Sequence, residues 1–534
     1  MNEQASAAGE SSPAQAQRVK SGDLPNGKEI EVKFRTGPEG LNRALSLPVI
    51  MSASAPQAQK LRTVYFDTPA GDLRKNGIVL RVRKKGRAAP VLGFKRACTA
   101  SGGPFLREEV EVRSPDFQPN LALFDAALSS ELAGIIGDKP IEPRFETQIK
   151  RRTVLVDHSQ SRIEVAFDEG YIASGERRVP LTEVELELKS GYEPDLYDLA
   201  TRLAAELPLS LDFVSKAENG FRVTIQEKPL PVKAVAIEFG SGATLDDAVT
   251  AVVSNTLAQF VANWAALRET DHPESVHQMR VALRRMRSGL AMFKRVLPCP
   301  ELNVLRAEAR RIASALGPAR ECDVFRQSAE KGPLLHPDRP ASCGNLLAEI
   351  EERRIAAYKD ARALIDNPAT SIFVLQVQRF LANRAWRGVL SGAELTALTM
   401  PAAQFAHDAL DKLKARVMKR GKGFPDITDE ARHELRIALK NLRYGAEFFG
   451  GLFDRGRKAK SYAGGISALL DILGSHNDMV SARQFLREIS AAAGPAAEKG
   501  SGFMLGWHAR GTAIADAELR GFWKAFRRAD SFWK

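Results

Sequence analysis

Eight short segments between residues 28 and 190 alternate apolar and polar side chains with a period of two, and no other feature restricts the fold so strongly. They are KEIEVKFR (28–35), LRTVYFD (61–67), IVLRVRK (78–84), VLGFKR (91–96), REEVEVR (107–113), RRTVLVD (151–157), SRIEVAFDEG (161–170) and TEVELELKS (182–190). Successive side chains of a strand point to opposite faces, so each segment has one apolar and one polar or charged face. Gly, Pro, Asn and Asp lie between many of them, as hairpins require. Helical stretches near 117–136 and 194–207 interrupt the series. The pattern predicts a closed or nearly closed eight-stranded antiparallel barrel.

Glu29, Glu31, Lys33 and Arg35 share one face of the first segment. Arg81 and Arg83, Lys95, Glu109 and Glu111, Arg151, Glu164 and Asp168, and Glu183, Glu185, Glu187 and Lys189 continue that face on later segments. One alternating strand on its own is ordinarily half-buried with its polar residues in water. Charge of both signs on nearly every strand leaves two arrangements. With the charged face outward, the barrel is filled by Ile, Val, Leu and Phe. With it inward, helices or a partner must cover the apolar outside, and the interior is a charged tunnel. Unpaired charges buried in a lumen are costly, and a highly charged ligand removes that cost. Arg by its fork and Lys as a point charge can hold triphosphate oxygens. Clustered Glu carboxylates supply hard oxygen ligands for Mg²⁺ or Mn²⁺, and a carboxylate or a second metal can activate water for in-line attack. No G-x-x-x-x-G-K-(S/T) loop occurs, which argues against a Walker-type NTPase.

Beyond the two prolines of EKPLPVKAVAIEFG the period changes to that of helices. The expected division is a disordered tail over 1–27, a strand-rich domain over 28–225, a linker over 226–240 and a helical domain over 241–534. The helical domain repeats, in units of about 241–395 and 396–534. HQMRVALRRMR (277–287) and HELRIALKNLR (433–443) match, and LGPARE (316–321) is echoed by LGSHND (473–478). Duplication implies two similar bundles related by a pseudo-two-fold. At helical spacing, His277, Arg280, Arg284 and Arg287 form one stripe, opposite Met279, Leu283, Met286, Leu290 and Phe293. His433, Arg436, Lys440 and Arg443 form the matching stripe opposite Leu435, Leu439, Leu442, Ala446 and Phe449. A basic stripe alone is usually a solvated face. These two contain few acids, Glu447 being the exception, and recur at matched positions, which favours a polyanion as partner. HELRI lacks the second His of a zinc helix. Aromatic residues are not interleaved with the basic ones, which disfavours nucleic acid.

Charge divides along the same boundary. The first 240 residues hold 33 basic and 33 acidic residues, while 241–534 hold 44 and 32, the whole net charge of +12. The helical half is therefore the one that attracts polyanions. No run of about 18 apolar residues and no signal-peptide pattern occurs, so no membrane partner is expected. Cys98, Cys299, Cys322 and Cys343 are widely spaced, as reduced cytoplasmic thiols are. Oligomeric state is not legible.

Glu29-x-Glu31-x-Lys33, YFDT (65–68), LRVR (80–83), Lys95 and EVELEL (183–188) resemble the CYTH superfamily, the triphosphate tunnel metalloenzymes. The paired HxxR motifs resemble the CHAD domain, often fused behind a CYTH domain. The resemblance implies an α+β multidomain protein, a β-tunnel with flanking helices followed by duplicated helical bundles. It implies an inorganic triphosphatase, hydrolysing triphosphate to pyrophosphate and phosphate with Mg²⁺ or Mn²⁺. Glu29, Glu31, Glu185 and Glu187 would bind metal or activate water, with Glu109 and Asp168 as further ligands. Lys33, Arg81, Arg83, Lys95, Arg151 and Lys216 would grip phosphate, Lys33 also serving catalysis. The CHAD resemblance implies that His277, Arg280, Arg284, Arg287, His433, Arg436, Lys440 and Arg443 hold polyphosphate, which would place the protein in the cytoplasm at polyphosphate granules. The alternatives are a non-catalytic polyphosphate-binding protein with a degenerate tunnel, or a CYTH enzyme acting on another triphosphate, as adenylate cyclases and thiamine triphosphatases do.

Overall fold

The computed structural model describes residues 28–97, 106–453, 456–493 and 498–534; the expected disordered tail and Cys98 lie outside them. Among the described residues nine antiparallel strands form one sheet: β1 (Lys28–Arg35), β2 (Gln57–Asp67), β3 (Ile78–Lys85), β4 (Val91–Ala97), β5 (Leu106–Arg113), β6 (Glu142–His158), β7 (Ser161–Ser174), β8 (Arg177–Ser190) and the two-residue β9 (Ser210–Leu211). Their order is β5-β4-β3-β2-β6-β7-β8-β1-β9, and β5 also pairs with β1. That last pairing spans Lys28↔Glu108, Glu29↔Arg107 and Ile30↔Leu106. The eight long strands therefore curl into a ring joined over three residue pairs, not a barrel bonded along its full height.

The alternation resolves with the apolar side outward. Ile30, Val32, Phe34, Val165, Phe167, Val184 and Leu186 leave the ring and join a core that includes Leu196, Leu199, Ala200 and Leu203 of helix Glu193–Glu206. Leu80, Val82, Leu92 and Phe94 pack with Leu128, Leu132 and Ile136 of helix Ala126–Ile136. A buried apolar outside thus leaves the charged side facing inward. Gly93 on β4 has a local reason: a Cβ there would lie 3.2 Å from Arg81 Nε.

From residue 245 the chain is helical. No helix of the described residues is long and apolar enough to cross a membrane. The segment before it lies against the first helix, Leu245–Ala262, and its end. Asn255 Nδ2 donates to Val235 O (2.9 Å), and Asn263 exchanges hydrogen bonds with Val232. The motif helices, Pro273–Phe293 and Asp429–Phe449, meet where Ser288 Oγ donates to Asn441 Oδ1 (2.6 Å). The two halves share one apolar core, with Leu203 and Leu207 on one side and Phe373 and Val377 on the other.

Candidate functional site

The inward rows follow from register. Glu31 on β1 lies opposite Glu187 on β8, and Glu187 lies opposite Glu164 on β7. One step along, Lys33 faces Glu185; the next places Arg35, Glu183 and Asp168 in line. Arg151 on β6 is opposite Asp168, and Lys95 on β4 is opposite Glu109 on β5. Arg81 and Arg83 stand opposite Tyr65 and Thr63. Of these, Glu31, Arg81, Arg83, Lys95, Glu109, Arg151, Glu164, Glu185 and Glu187, with Lys216, line a cavity of about 1350 Å³, while Lys33, Asp168 and Glu183 lie behind its wall.

At one level the charges are matched. Arg151 donates to both Asp168 oxygens (2.7 and 2.6 Å) and to Glu185 (2.5 Å). Lys216 lies 2.5 Å from Glu185, 2.7 Å from Glu183 and 3.0 Å from Asp168. Lys33 donates to Glu183 (3.4 Å) and to Val214 O. Burial opposes the charge on Glu185, but Lys216 and Arg151 hold its carboxyl well below the usual carboxylate range. At the other level acids dominate. Lys95 bridges Glu29 (2.7 Å) and Glu109 (2.9 Å), and Lys189 binds Glu187 (2.7 Å). Burial and the neighbouring Glu109 push the Glu29 carboxyl up to about 7, although Lys95 pulls it down. Arg81 binds Glu109 and Glu111. Among the described residues Arg83 makes no ion pair and donates only to Thr63 Oγ1 (3.3 Å). Its burial, with Arg81 and Arg151 nearby, lowers its guanidinium from the ordinary value.

Whether these residues fit a divalent cation is decided by the acids. Asp168, Glu183 and Glu185 can bring oxygens within 4.8 Å of one another, yet Arg151, Lys216 and Lys33 already sit among them. Glu31 and Glu187 are directly opposed like charges, a destabilising pair in a sheet. Lys95 bridges Glu29 and Glu109 and Lys189 binds Glu187, so each end carries cations among its acids, and the Glu31–Glu187 pair is the place where a further cation would relieve like charge. CYTH-type tunnels are metal-dependent, and the carboxylate cluster here suits that chemistry.

In the helical half, the first stripe is half-buried rather than solvated. Arg280 donates to Ala313 O, and its Nη1 lies 3.3 Å from where a Cβ on Gly317 would stand. Arg436 donates to Leu473 O (3.2 Å) and Gly474 O (3.4 Å). The repeated Leu-Gly pair is thus the seat of the repeated Arg. His277 is pushed down to about 4 by burial, then by Arg320, with Arg284 and Arg280 adding to it. Burial lowers the Arg287 guanidinium too, joined by Arg310, Arg306 and Arg284. Arg284 Nε lies 3.5 Å from Tyr444 Oη of the second motif helix. Around the second stripe acids intrude, with Arg443 Nε 3.3 Å from Glu447 and His433 exposed.

The structure brings Glu29, Glu31, Lys33, Arg81, Arg83, Lys95, Glu109, Arg151, Asp168, Glu185, Glu187 and Lys216 around one interior. Of this interior, Asp212 was missed, as was the helix Lys216–Ile225 that carries Lys216. Its signal was the Ser215-x-x-Glu218 sequence, in which Ser215 Oγ accepts from Glu218 N (3.0 Å). Arg306, Arg310 and Arg320, beside the first stripe, were also missed; the spacing of Arg306 and Arg310 was visible.

The CYTH domain family matches residues 27–221 and the CHAD domain family residues 251–487. The inorganic triphosphatase of Haemophilus influenzae is 30% identical over 202 residues, 36% of this chain and 54% of that protein. The match therefore spans about half that relative's length. An uncharacterized protein of Mycobacterium tuberculosis is 25% identical over 497 residues, 88% of this chain and 90% of its own. Among solved structures, the CHAD domain of the plant Ricinus communis shares 28% identity at a TM-score of 0.49, covering 56% of this chain and 98% of that one.

Proposed function

This chain belongs to the proteins that join a CYTH domain to a CHAD domain, and from that premise we propose that its ring hydrolyses inorganic triphosphate while its helical domain binds polyphosphate. One observation carries the reading: a wall of inward-facing carboxylates and cations in which, among the described residues, the half-buried Arg83 has no carboxylate of its own. A polyanion supplies what that cation lacks.

Lys33, Arg81, Arg83, Lys95, Arg151 and Lys216 hold the phosphate oxygens, and the acids already bound to most of them keep the cations aimed before substrate arrives. Glu31 and Glu187, with Glu29, Glu109, Glu185 and Asp168 close by, would hold a divalent cation, Mg²⁺ or Mn²⁺, which when bound stabilises charge on phosphoryl oxygens. Water attacks the terminal phosphorus, its bond to the bridging oxygen breaks, and pyrophosphate leaves. A carboxylate left outside the cation's ligand set, with Glu29 the candidate, takes the proton the water loses.

In the helical domain, Arg280, Arg284, Arg287 and His277 hold a linear polyphosphate together with Arg306 and Arg320, and His433, Arg436, Lys440 and Arg443 extend the surface. The test is a substrate panel of triphosphate, ATP, thiamine triphosphate and long polyphosphate with Mg²⁺ and with Mn²⁺. Preferred release of phosphate from triphosphate supports the reading. Cyclic AMP from ATP, or preference for thiamine triphosphate, replaces the substrate. Polyphosphate binding without turnover of any of them replaces the enzyme by a binding protein.

A further inference from the structure

The strand and turn that hold Lys33 and begin the Lys216 helix are themselves gripped by the helical domain. β9 pairs with β1 through Phe34↔Leu211 and Arg35↔Ser210. Its other side is bound by residues beyond position 260. Leu211 N donates to Ser371 Oγ (2.9 Å). Arg268, on helix Trp264–Glu269, donates through Nη2 to Ser210 Oγ (2.7 Å), Leu211 O (3.3 Å) and Asp366 Oδ1 (2.8 Å). Its Nη1 lies 3.9 Å from Asp212 Oδ1.

Asp212 is the joint. Its backbone N–H donates to Lys33 O (2.9 Å), its Oδ1 accepts from Val214 N (3.0 Å), and its Oδ2 lies 3.9 Å from Lys33 Nζ. Lys33 Nζ donates in turn to Val214 O. Ser215 then caps the helix Lys216–Ile225, whose first residue reaches Glu183, Glu185 and Asp168. Farther along that helix, Arg222 Nη1 lies 3.5 Å from Glu269, the neighbour of Arg268. Burial works against the charge on Asp212, yet Lys33 first and Arg268 second hold its carboxyl below the usual range.

We propose that Arg268 of the helical domain is a positioning residue for the tunnel, fixing Asp212 and the turn through Ser215 so that Lys33 and Lys216 point at the substrate phosphates. The helical domain thereby acts on the ring through a direct contact, separately from any polyanion it binds. A residue that merely joined the domains would change stability alone. A positioning residue changes substrate affinity in protein that remains folded.

The inference rests on triphosphate as the ligand of the ring, and its test reads binding apart from turnover. In the full chain, Arg268→Ala and Arg268→Lys are compared with wild type by KM and kcat, by calorimetric Kd for triphosphate in EDTA, and by Tm. Expected for Arg268→Ala is a rise of about tenfold in both KM and Kd with a smaller change in kcat, as small displacements of binding groups produce, and partial recovery by Arg268→Lys. Unchanged KM and Kd beside a lowered Tm overturn the proposal. Should Arg268→Ala not fold, Ser371→Ala, which removes only the hydroxyl bound to Leu211 N, is read in the same way: raised Kd supports and unchanged Kd overturns. A wild-type chain that binds triphosphate but hydrolyses none would refute the proposed hydrolysis while leaving the EDTA comparison decisive for Arg268.

Discussion

Removing the charge from Glu29 should stabilise the metal-free protein, increasingly as pH rises from 4.5 to about 7. The Glu29 carboxyl is raised from 4.5 to about 7, with burial and Glu109 the causes. A raised acid binds its proton more tightly when folded. Its contribution to stability is therefore complete below pH 4.5 and is lost as pH rises through about 7. At about 1.4 kcal/mol per pH unit, the loss is about 3 kcal/mol. Glu109 and Glu185 are held below their ordinary values, so they stay ionised across this window. His277, lowered to about 4 from 6.5, runs the other way. Its contribution is present above 6.5 and lost as pH falls through about 4, so it offsets part of the wild-type profile and cancels only in a comparison with the variant. Urea unfolding in EDTA, at about pH 5 and about pH 8, should give Glu29→Gln nearly the stability of wild type at the lower pH and about 3 kcal/mol more at the higher. An equal difference at both pH values would refute the reasoning.

Three further outcomes follow from the same geometry. Arg83→Ala should raise the KM for triphosphate by about ten- to a hundredfold, the worth of a charge-assisted hydrogen bond, without lowering Tm, since no ion pair is lost; an unchanged KM removes Arg83 from the site. Glu185→Gln should destabilise the fold by about 3 kcal/mol, because Arg151 and Lys216 lose a buried partner; this is read from urea midpoints, and an unchanged midpoint contradicts the ion-pair network. Replacing Arg280, Arg284 and Arg287 together by Ala should weaken polyphosphate binding and reduce the slope of log affinity against log salt by about two, as for a single-stranded polyanion; an unaltered slope places the anion elsewhere.

Much of the ring was legible because alternation and register are the same fact seen twice. Glu29, Glu31 and Lys33 share a face by period alone, and Glu185 and Glu187 share theirs. What alternation could not show was which side is inward. That depends on apolar cover from helices far along the chain, such as Glu193–Glu206 over Val32 and Val184. β9, with two residues, is too short to display a period, so Asp212 and its link to Lys33 were invisible. The basic stripes were legible from helical spacing, but their burial was not, since Arg306 and Arg320 arrive from the next two helices. The repeated Leu-Gly pair was readable as a repeat and not as the seat of Arg280 and Arg436. That role belongs to space, a missing Cβ beside a guanidinium.

The most direct test of the central claim is ³¹P NMR of triphosphate incubated with the full chain and Mg²⁺ or Mn²⁺, beside the Glu31→Gln/Glu187→Gln double variant. The account predicts that triphosphate disappears as equimolar pyrophosphate and phosphate appear with wild type, and that the double variant leaves triphosphate intact. Equal hydrolysis by both proteins, or none by wild type, would contradict it.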